Sequence, residues 1–320
     1  MKAFVYKKFG EPGVLKLVNM KKPSPGYDEV LVKIKATTVT AADCYMRRGD
    51  TLASRLVLGL FYPRERYQIL GTEFSGTIES IGSGVKKFKP GDDIFAFRGF
   101  GTGCYAGYKC MKEKGSIAIK PAGVSFSEAA AAVDGATTAL FFLREKAAIS
   151  KGQKVLINGA SGSIGTFAVQ IAKFFGARVT AVCSTRNGSL VKSLGADKVV
   201  DYKLEDFTRR DEKYDIVFDT VGKSSFKKCK PVLPLGGKYL TTVMNPRNVI
   251  LTLLSRFSGK KAIFGMSVNK TSDLNVIKTM MEGNHLKSVI DRSYKFEDLP
   301  AAHAYVEQGH KVGNVVIEVT

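Results

Sequence analysis

At 320 residues, 44% of them hydrophobic, the chain is long enough for roughly two domains, each with its own core. The formal net charge of +20 brings polyanions into consideration as partners, while charged residues interrupt every apolar stretch short of the ~18 residues that a membrane helix needs. The opening MKAFVYKKFG lacks the apolar centre of a secretion signal, and Cys44, Cys104, Cys110, Cys183 and Cys229 are odd in number and scattered, as expected of reduced thiols in a cytoplasmic protein.

The excess charge is not concentrated. Residues 1–120 carry 21 basic and 11 acidic side chains, residues 121–285 carry 24 and 13, and residues 286–320 carry 4 and 5. Pairs such as Lys7-Lys8, Arg47-Arg48 and Lys260-Lys261 are spread along the chain. A nucleic-acid binder more often gathers its charge into a tail or stripe, and no aromatic-rich RNA-binding signature is present. Neither nucleic acid nor a membrane is the expected partner.

Taken in chain order, Ala3–Tyr6 reads as a strand. Residues 1–120 then show alternation, as in Val30-Leu31-Val32-Lys33-Ile34-Lys35, turns such as Pro90-Gly91-Asp92, and many glycines from Gly71 to Gly107. That pattern predicts an antiparallel, barrel-like β domain. Within it, SRLVLGLFYPRERY (Ser54–Tyr67) reads either as an amphipathic helix over a substrate cleft or as a surface insertion, with the insertion favoured.

From about Lys151 the pattern changes to strand and helix in alternation. Val155-Leu156-Ile157 is a short apolar run, and Ser163–Phe175 places Ile164, Phe167, Ala168, Ile171, Ala172 and Phe175 at helical spacing before Gly176. Further apolar runs lie at Arg178–Cys183, Lys198–Tyr202, Asp215–Val221, Lys238–Val243 and Ala262–Val268. Strands buried on both faces have this appearance, so an α/β fold with a doubly wound parallel sheet of about six strands is expected. Asn314–Val319 reads as one more strand, returning to the N-terminal domain.

Between the first of these strands and its helix lies NGASGSIG, Asn158–Gly165, with glycines at 159, 162 and 165. The spacing departs from G-x-G-x-x-G, but the physics is shared: a strand turns sharply into a helix whose free N–H groups and positive dipole end attract a pyrophosphate. Gly159, Ala160, Gly162, Ser163, Ile164 and Gly165 are therefore candidate dinucleotide contacts. An NAD-selective site carries an acid about 20 residues further on, at the tip of the next strand. Here the tip is Ser184-Thr185-Arg186, and no carboxylate occurs between Gly162 and Asp197. Hydroxyls and a guanidinium suit a 2′-phosphate, so NADPH is the expected cofactor, with Tyr202 as a second candidate near that phosphate. A solvated loop arginine is the alternative for Arg186.

With these pieces in place the chain resembles the medium-chain dehydrogenase/reductase superfamily, in its zinc-free quinone oxidoreductase-like branch. The resemblance runs nearly end to end through AADCYMRRG (41–49), ILGTEFSGTIESIGSGVKKFKPGDDIFAF (69–97), INGASGSIGTFAVQIAKFFGARVTAVCSTRN (157–187), SLGADKVVDY (193–202) and GHKVGNVVIEV (309–319). It implies a GroES-like β-barrel catalytic domain from residues 1–121 and 286–320, a Rossmann domain at 122–285, an active site in the cleft, and a homodimer.

The resemblance also locates the metal positions. Zinc-dependent relatives carry a Cys three residues before the Asp of the AADC-like motif, where this chain has Thr40, and a His-Glu pair where it has Thr72-Glu73. A hydroxyl replaces thiolate or imidazole poorly as a zinc ligand, and Cys104 and Cys110 do not form the C-x-x-C spacing of a structural zinc lobe. His285, His303 and His310 all lie late in the chain, away from these motifs, and read as surface or packing residues. No metal is expected.

Without a Lewis acid, hydride delivery is easiest to a conjugated acceptor, a quinone or an α,β-unsaturated carbonyl, in which the charge spreads over an enolate or phenolate. Tyr45 stands where relatives place a tyrosine facing the cleft. It either gives a hydrogen bond or proton to the acceptor oxygen or only packs against substrate. Thr40 and Thr72 would line the pocket, with Thr138, Thr242 and Val243 near the nicotinamide. Many relatives have Asn at the Thr40 position, so one of their polar contacts is missing here. The competing readings are a zinc-free NADP-dependent alcohol or aldehyde dehydrogenase, and a non-catalytic NADPH-binding protein.

Overall fold

The computed structural model describes residues 1–243, 246–267 and 270–319. In chain order the regular elements open with strands β1 (Lys2–Val5), β2 (Lys16–Asn19) and β3 (Glu29–Thr38), helices α1 (Ala41–Arg48) and α2 (Leu52–Leu58), then β4 (Glu73–Ile81), β5 (Asp93–Phe97), β6 (Tyr108–Lys112) and β7 (Ile117–Ile119). Next come α3 (Phe126–Leu140), β8 (Lys154–Asn158), α4 (Ser163–Phe174), β9 (Arg178–Cys183), α5 (Gly188–Ser193), β10 (Lys198–Asp201), β11 (Ile216–Asp219), α6 (Phe226–Cys229), β12 (Lys238–Thr241), α7 (Pro246–Leu254) and β13 (Lys261–Phe264). The chain closes with α8 (Thr271–Glu282), β14 (Ile290–Lys295), α9 (Leu299–Glu307) and β15 (Asn314–Glu318). Of the predicted run Ala262–Val268, Val268 lies outside the described residues.

Two compact units result. One takes Met1–Asp134 with the later segments Val268–Glu282 and Ser288–Thr320, the other Gly135–Ser267 with Gly283–Lys287. In the first unit, β14-β15-β3-β4-β5-β7 form one sheet, with β6 paired to β3. β15 runs antiparallel to β3 through Val316↔Thr38 and Ile317↔Thr37. The core on one side gathers Val30, Val32, Ile34, Phe74, Ile78, Ile94, Val315 and Ile317, while Ala36 and Val316 pack against Ala130 and Ala131 of α3, so β3 and β15 are largely buried on both faces.

The second unit is a six-stranded parallel sheet in the order β10-β9-β8-β11-β12-β13. Its central runs, Val155–Ile157, Ala181–Val182 and Ile216–Phe218, are fully or almost fully buried, as helices on both faces require. The strand order reverses between β8 and β11, so the glycine turn after β8 falls at the topological switch point, where open α/β sheets bind ligands.

At that end of the sheet one carboxylate gathers the neighbouring strands. Asp219, fully buried at the end of β11, accepts from Asn158 Nδ2 on β8 at 3.0 Å and from Tyr239 OH on β12 at 3.0 Å. It also accepts from the backbone N–H groups of Val221, Gly222 and Ser224 at 3.3, 2.9 and 2.9 Å. Its removal strands the buried Asn158 and Tyr239 donors and frees three backbone N–H groups at once.

The first unit has its own buried polar group. Glu73, at the start of β4, accepts from the Thr38 hydroxyl on β3 and from the Asp134 backbone N–H on α3. Asp134 is in turn paired with Lys270, whose ammonium lies 4.1 Å from the centroid of the Phe97 ring. Burial, with the nearby Asp134 charge second, pushes the Glu73 carboxyl up to about 8, so it is largely protonated at neutral pH.

Two outcomes follow for stability. Asp219→Ala should lower the unfolding free energy by about 3 kcal/mol or more, and Tyr239→Phe by about 1 kcal/mol, measured by urea denaturation; a loss under 1 kcal/mol for the first would remove Asp219 from this role. For Glu73, the carboxyl titrates at about 8 when folded and near 4.5 otherwise. The native state therefore holds the extra proton in that window, and this contribution to stability is lost as pH rises from 4.5 towards 8. Glu73→Gln stays neutral, so its stability relative to wild type should improve across that range; a pH-independent difference would contradict the assignment.

Candidate active site

The nucleotide-binding candidates are built on the turn after β8. Gly159 has φ +81°, and a Cβ there would lie 2.5 Å from Val221 Cγ1; a Cβ on Gly165 would lie 2.1 Å from the Gly159 carbonyl oxygen. Only glycine allows this turn to close and α4 to pack so near it. The N–H groups of Gly159 and Ala160 both donate to the Val182 carbonyl, at 3.1 and 3.0 Å, which ties the turn to β9.

Gly162 is the N-cap of α4, extended and without a side-chain cap. A Cβ there would meet nothing nearer than the Gly159 carbonyl oxygen, at 3.4 Å. The first turn of α4 thus begins without a capping side chain on the positive end of its dipole, with Ser163 and Ile164 half-buried and Gly165 packed against the turn. These residues fit a phosphate group.

The tip of β9 lies beside this mouth. Asn187 Nδ2 donates to Ser161 Oγ at 2.9 Å, linking the glycine turn to the 3-10 turn Thr185–Asn187. Ser184 is buried, whereas Thr185 and Arg186 are exposed. Parallel pairing sets Asp201 opposite Cys183, and there the Thr185 hydroxyl donates to the Asp201 carboxylate. That bond, with the Lys203 N–H at 2.8 Å, holds Asp201 below the usual carboxylate range. A count along the chain between Gly162 and Asp197 does not find this acid, because sheet pairing delivers it. Tyr202 follows, half exposed.

The other candidates on this unit are more scattered. Thr138 is half-buried in α3, and Thr242 is half-buried just past β12. Val243 is partly exposed, and its carbonyl accepts from Asn248 Nδ2 at 2.8 Å.

On the first unit, Thr40 is the N-cap of α1 in a capping box: its hydroxyl accepts from the Asp43 N–H at 3.1 Å, and the Asp43 carboxylate accepts from the Thr40 N–H at 2.9 Å. The Thr40 hydroxyl also donates to that carboxylate, at 2.6 Å. The other oxygen of Asp43 accepts from the Gly71 N–H at 3.2 Å. The AADC and GTE motifs are thus joined by one buried carboxylate, which burial pushes up to about 6. Thr72 is buried, and its carbonyl accepts from the Arg98 and Gly99 N–H groups at 2.6 and 3.1 Å. Tyr45 is 58% exposed, with the Arg48 guanidinium 5.1 Å from its ring centroid.

Several residues here escaped the sequence reading. Asp43 had a signal, since a carboxylate three residues after a threonine is the mark of a capping box. Asp134 and Lys270 had none, because they meet each other and Glu73 only through the fold. His303 requires a correction: distant in sequence from the AADC motif, it lies against it in space. It is fully buried on α9, its Nδ1 3.4 Å from Cys44 Sγ and its ring edge-on to Tyr105 at 5.5 Å. Burial, reinforced by the Arg47 charge, pushes it down to about 3 and keeps it neutral. It is a packing residue, but within the candidate catalytic domain. Among the described residues no group of three or more His, Cys, Asp or Glu side chains is placed to hold a metal ion.

Comparison with known proteins agrees with this geometry. Residues 26–152 match the alcohol dehydrogenase GroES-like domain and residues 194–317 the family described as zinc-binding dehydrogenase. The chain is 32% identical to the chloroplastic quinone-oxidoreductase QR1 of Triphysaria versicolor, over 99% of this chain and 98% of that protein. It is 30% identical to the chloroplastic NADPH-dependent alkenal/one oxidoreductase of Arabidopsis thaliana, over 99% and 79%. Among solved structures, a quinone oxidoreductase from Coxiella burnetii superposes with a TM-score of 0.89 at 28% identity, covering 100% of this chain and 99% of that one. With its glycine turn at the switch point of one unit and its GroES-like sheet in the other, the chain belongs to the quinone oxidoreductase-like branch of the medium-chain dehydrogenase/reductase superfamily and is an oxidoreductase.

Proposed function

We propose that this oxidoreductase uses NADPH, works without zinc, and delivers hydride to a quinone or to the β-carbon of an α,β-unsaturated carbonyl. The observation that carries the reading is the chemistry at the two metal positions. Thr40 and Thr72 offer hydroxyls in place of thiolate and imidazole, and the Thr40 hydroxyl is already engaged with Asp43 in capping α1. A saturated carbonyl needs stabilisation of a localised alkoxide, whereas a conjugated acceptor spreads its charge and needs chiefly binding, orientation and a proton. The two relatives above, named for quinone and for alkenal/one substrates, point the same way.

A nicotinamide dinucleotide bound at this site would supply the hydride. The open first turn of α4 would take its pyrophosphate, and Ser184 and Arg186 its 2′-phosphate; the Thr185 hydroxyl is already given to Asp201. Tyr45, exposed on α1, would donate from its phenol O–H to the acceptor oxygen. A row of exposed apolar side chains on and after α7 (Val249, Ile250, Leu253, Leu254 and Phe257) lies beside the edge strand β13, and a second copy of the chain would cover it in the expected homodimer.

The purified, chelator-treated protein should oxidise NADPH faster than NADH with a quinone or an α,β-unsaturated aldehyde as acceptor. Loss of turnover on chelation, or reversible oxidation of saturated alcohols with NADP⁺, would favour a dehydrogenase instead. Arg186→Gln should raise KM for NADPH about tenfold or more and leave NADH turnover nearly unchanged; equal effects on both cofactors would remove Arg186 from the 2′-phosphate. Tyr45→Phe should lower kcat about 100-fold if the phenol transfers the proton, and an unchanged kcat would leave it only a packing role.

A further inference from the structure

The segment between α1 and β4 carries more large apolar side chains than its own packing buries. Its base is firmly built. Thr51 and Ser54 form a capping box for α2, Arg55 Nε donates to the Gly49 carbonyl at 2.8 Å, and the Arg64 N–H donates to the Leu58 carbonyl at 2.8 Å. Leu58, Pro63 and Tyr67 are buried. The outer side is the reverse: Leu52, Leu56, Val57, Leu60, Phe61 and Tyr62 are between 44% and 75% exposed.

Leu52 and Leu56 are four residues apart and Val57 adjoins them, so one face of α2 is apolar and unburied. The three that follow are turned outward by a tight reversal at Gly59, whose φ is +137° and where a Cβ would lie 1.9 Å from the Tyr62 carbonyl oxygen. An ordered platform thus presents six large apolar side chains in a short span, more than scattered surface residues would supply.

Cations flank this tip. Arg64 and Arg66 are exposed within it. Lys7 and Lys8, also exposed, precede Phe9, whose ring lies 5.2 Å from the Arg55 guanidinium. Against them stand Glu65 and Asp50, the latter paired with Arg48 at 2.7 Å. An apolar tip with a cationic rim on a chain of net charge +20 suits an anionic lipid surface: apolar groups enter the acyl boundary while lysine and arginine stay among the headgroups. The sequence has no spanning stretch, and among the described residues no helix is long and apolar enough to cross a membrane. Attachment to a surface needs no span.

We propose that residues 52–66 form a docking tip for the surface of an anionic bilayer, independently of which acceptor the enzyme reduces. The test is sedimentation of the purified full-length chain with vesicles of phosphatidylcholine alone or with added phosphatidylglycerol. The chain should sediment with the anionic vesicles and not with the neutral ones. Leu56→Ser combined with Phe61→Ser, both at exposed positions, should weaken that binding about tenfold or more, while Leu204→Ser, at an 82% exposed position outside the tip, should leave it unchanged. No binding to either vesicle overturns the proposal. So does binding that the double variant leaves intact, which would mark a general affinity for polyanions, RNA included. Far-UV circular dichroism of each variant confirms that the fold is retained.

Discussion

The GroES-like unit depends on one buried carboxylate. Asp43 binds the N-cap of its own helix on one oxygen and the Gly71 N–H on the other, so the helix that carries Tyr45 and the loop that carries Thr72 share a fastening. Burying a carboxylate is expensive unless N–H and O–H donors replace the lost water. Here three groups do so, yet burial still dominates and raises its pKa. Anything that loosens Asp43 would release the helix start and the loop together.

The Rossmann unit uses the same device at the other end of the chemistry. Asp219 collects side chains from β8 and β12 and the backbone beyond its own strand. The strand ends are thereby tied together beside the glycine turn. The two carboxylates differ in one respect. Asp43 ties a helix start to a loop 28 residues away, whereas Asp219 joins hydrogen-bonded parallel strands, reaching Asn158 across 61 residues.

The contrast explains what could be read from the sequence. The doubly wound sheet is legible because buried strands are short apolar runs bounded by glycine, and the turn at 159–165 because a strand, three glycines and an amphipathic helix stand in the required order. The antiparallel unit is legible from alternation in β3. What is not legible depends on pairing at long range. Asp201 reaches Thr185 only because β9 and β10 run parallel in a particular register. His303 reaches Cys44 across 259 residues, and Lys270 reaches Asp134 across 136. The tip at 52–62 was ambiguous for another reason: its periodicity is that of an amphipathic helix, and periodicity does not say what the apolar face meets.

Thr40 carries a consequence for any attempt to place a thiolate ligand at the start of α1. Restoring a thiolate at that position would remove the hydroxyl that accepts from the Asp43 N–H and donates to its carboxylate, a cap worth about 1 kcal/mol. It would also place a second negative charge beside a carboxylate that is already poorly solvated. One position thus sets both the start of α1 and the chemistry that would be offered to a metal, so a change of ligand there is also a change of helix cap.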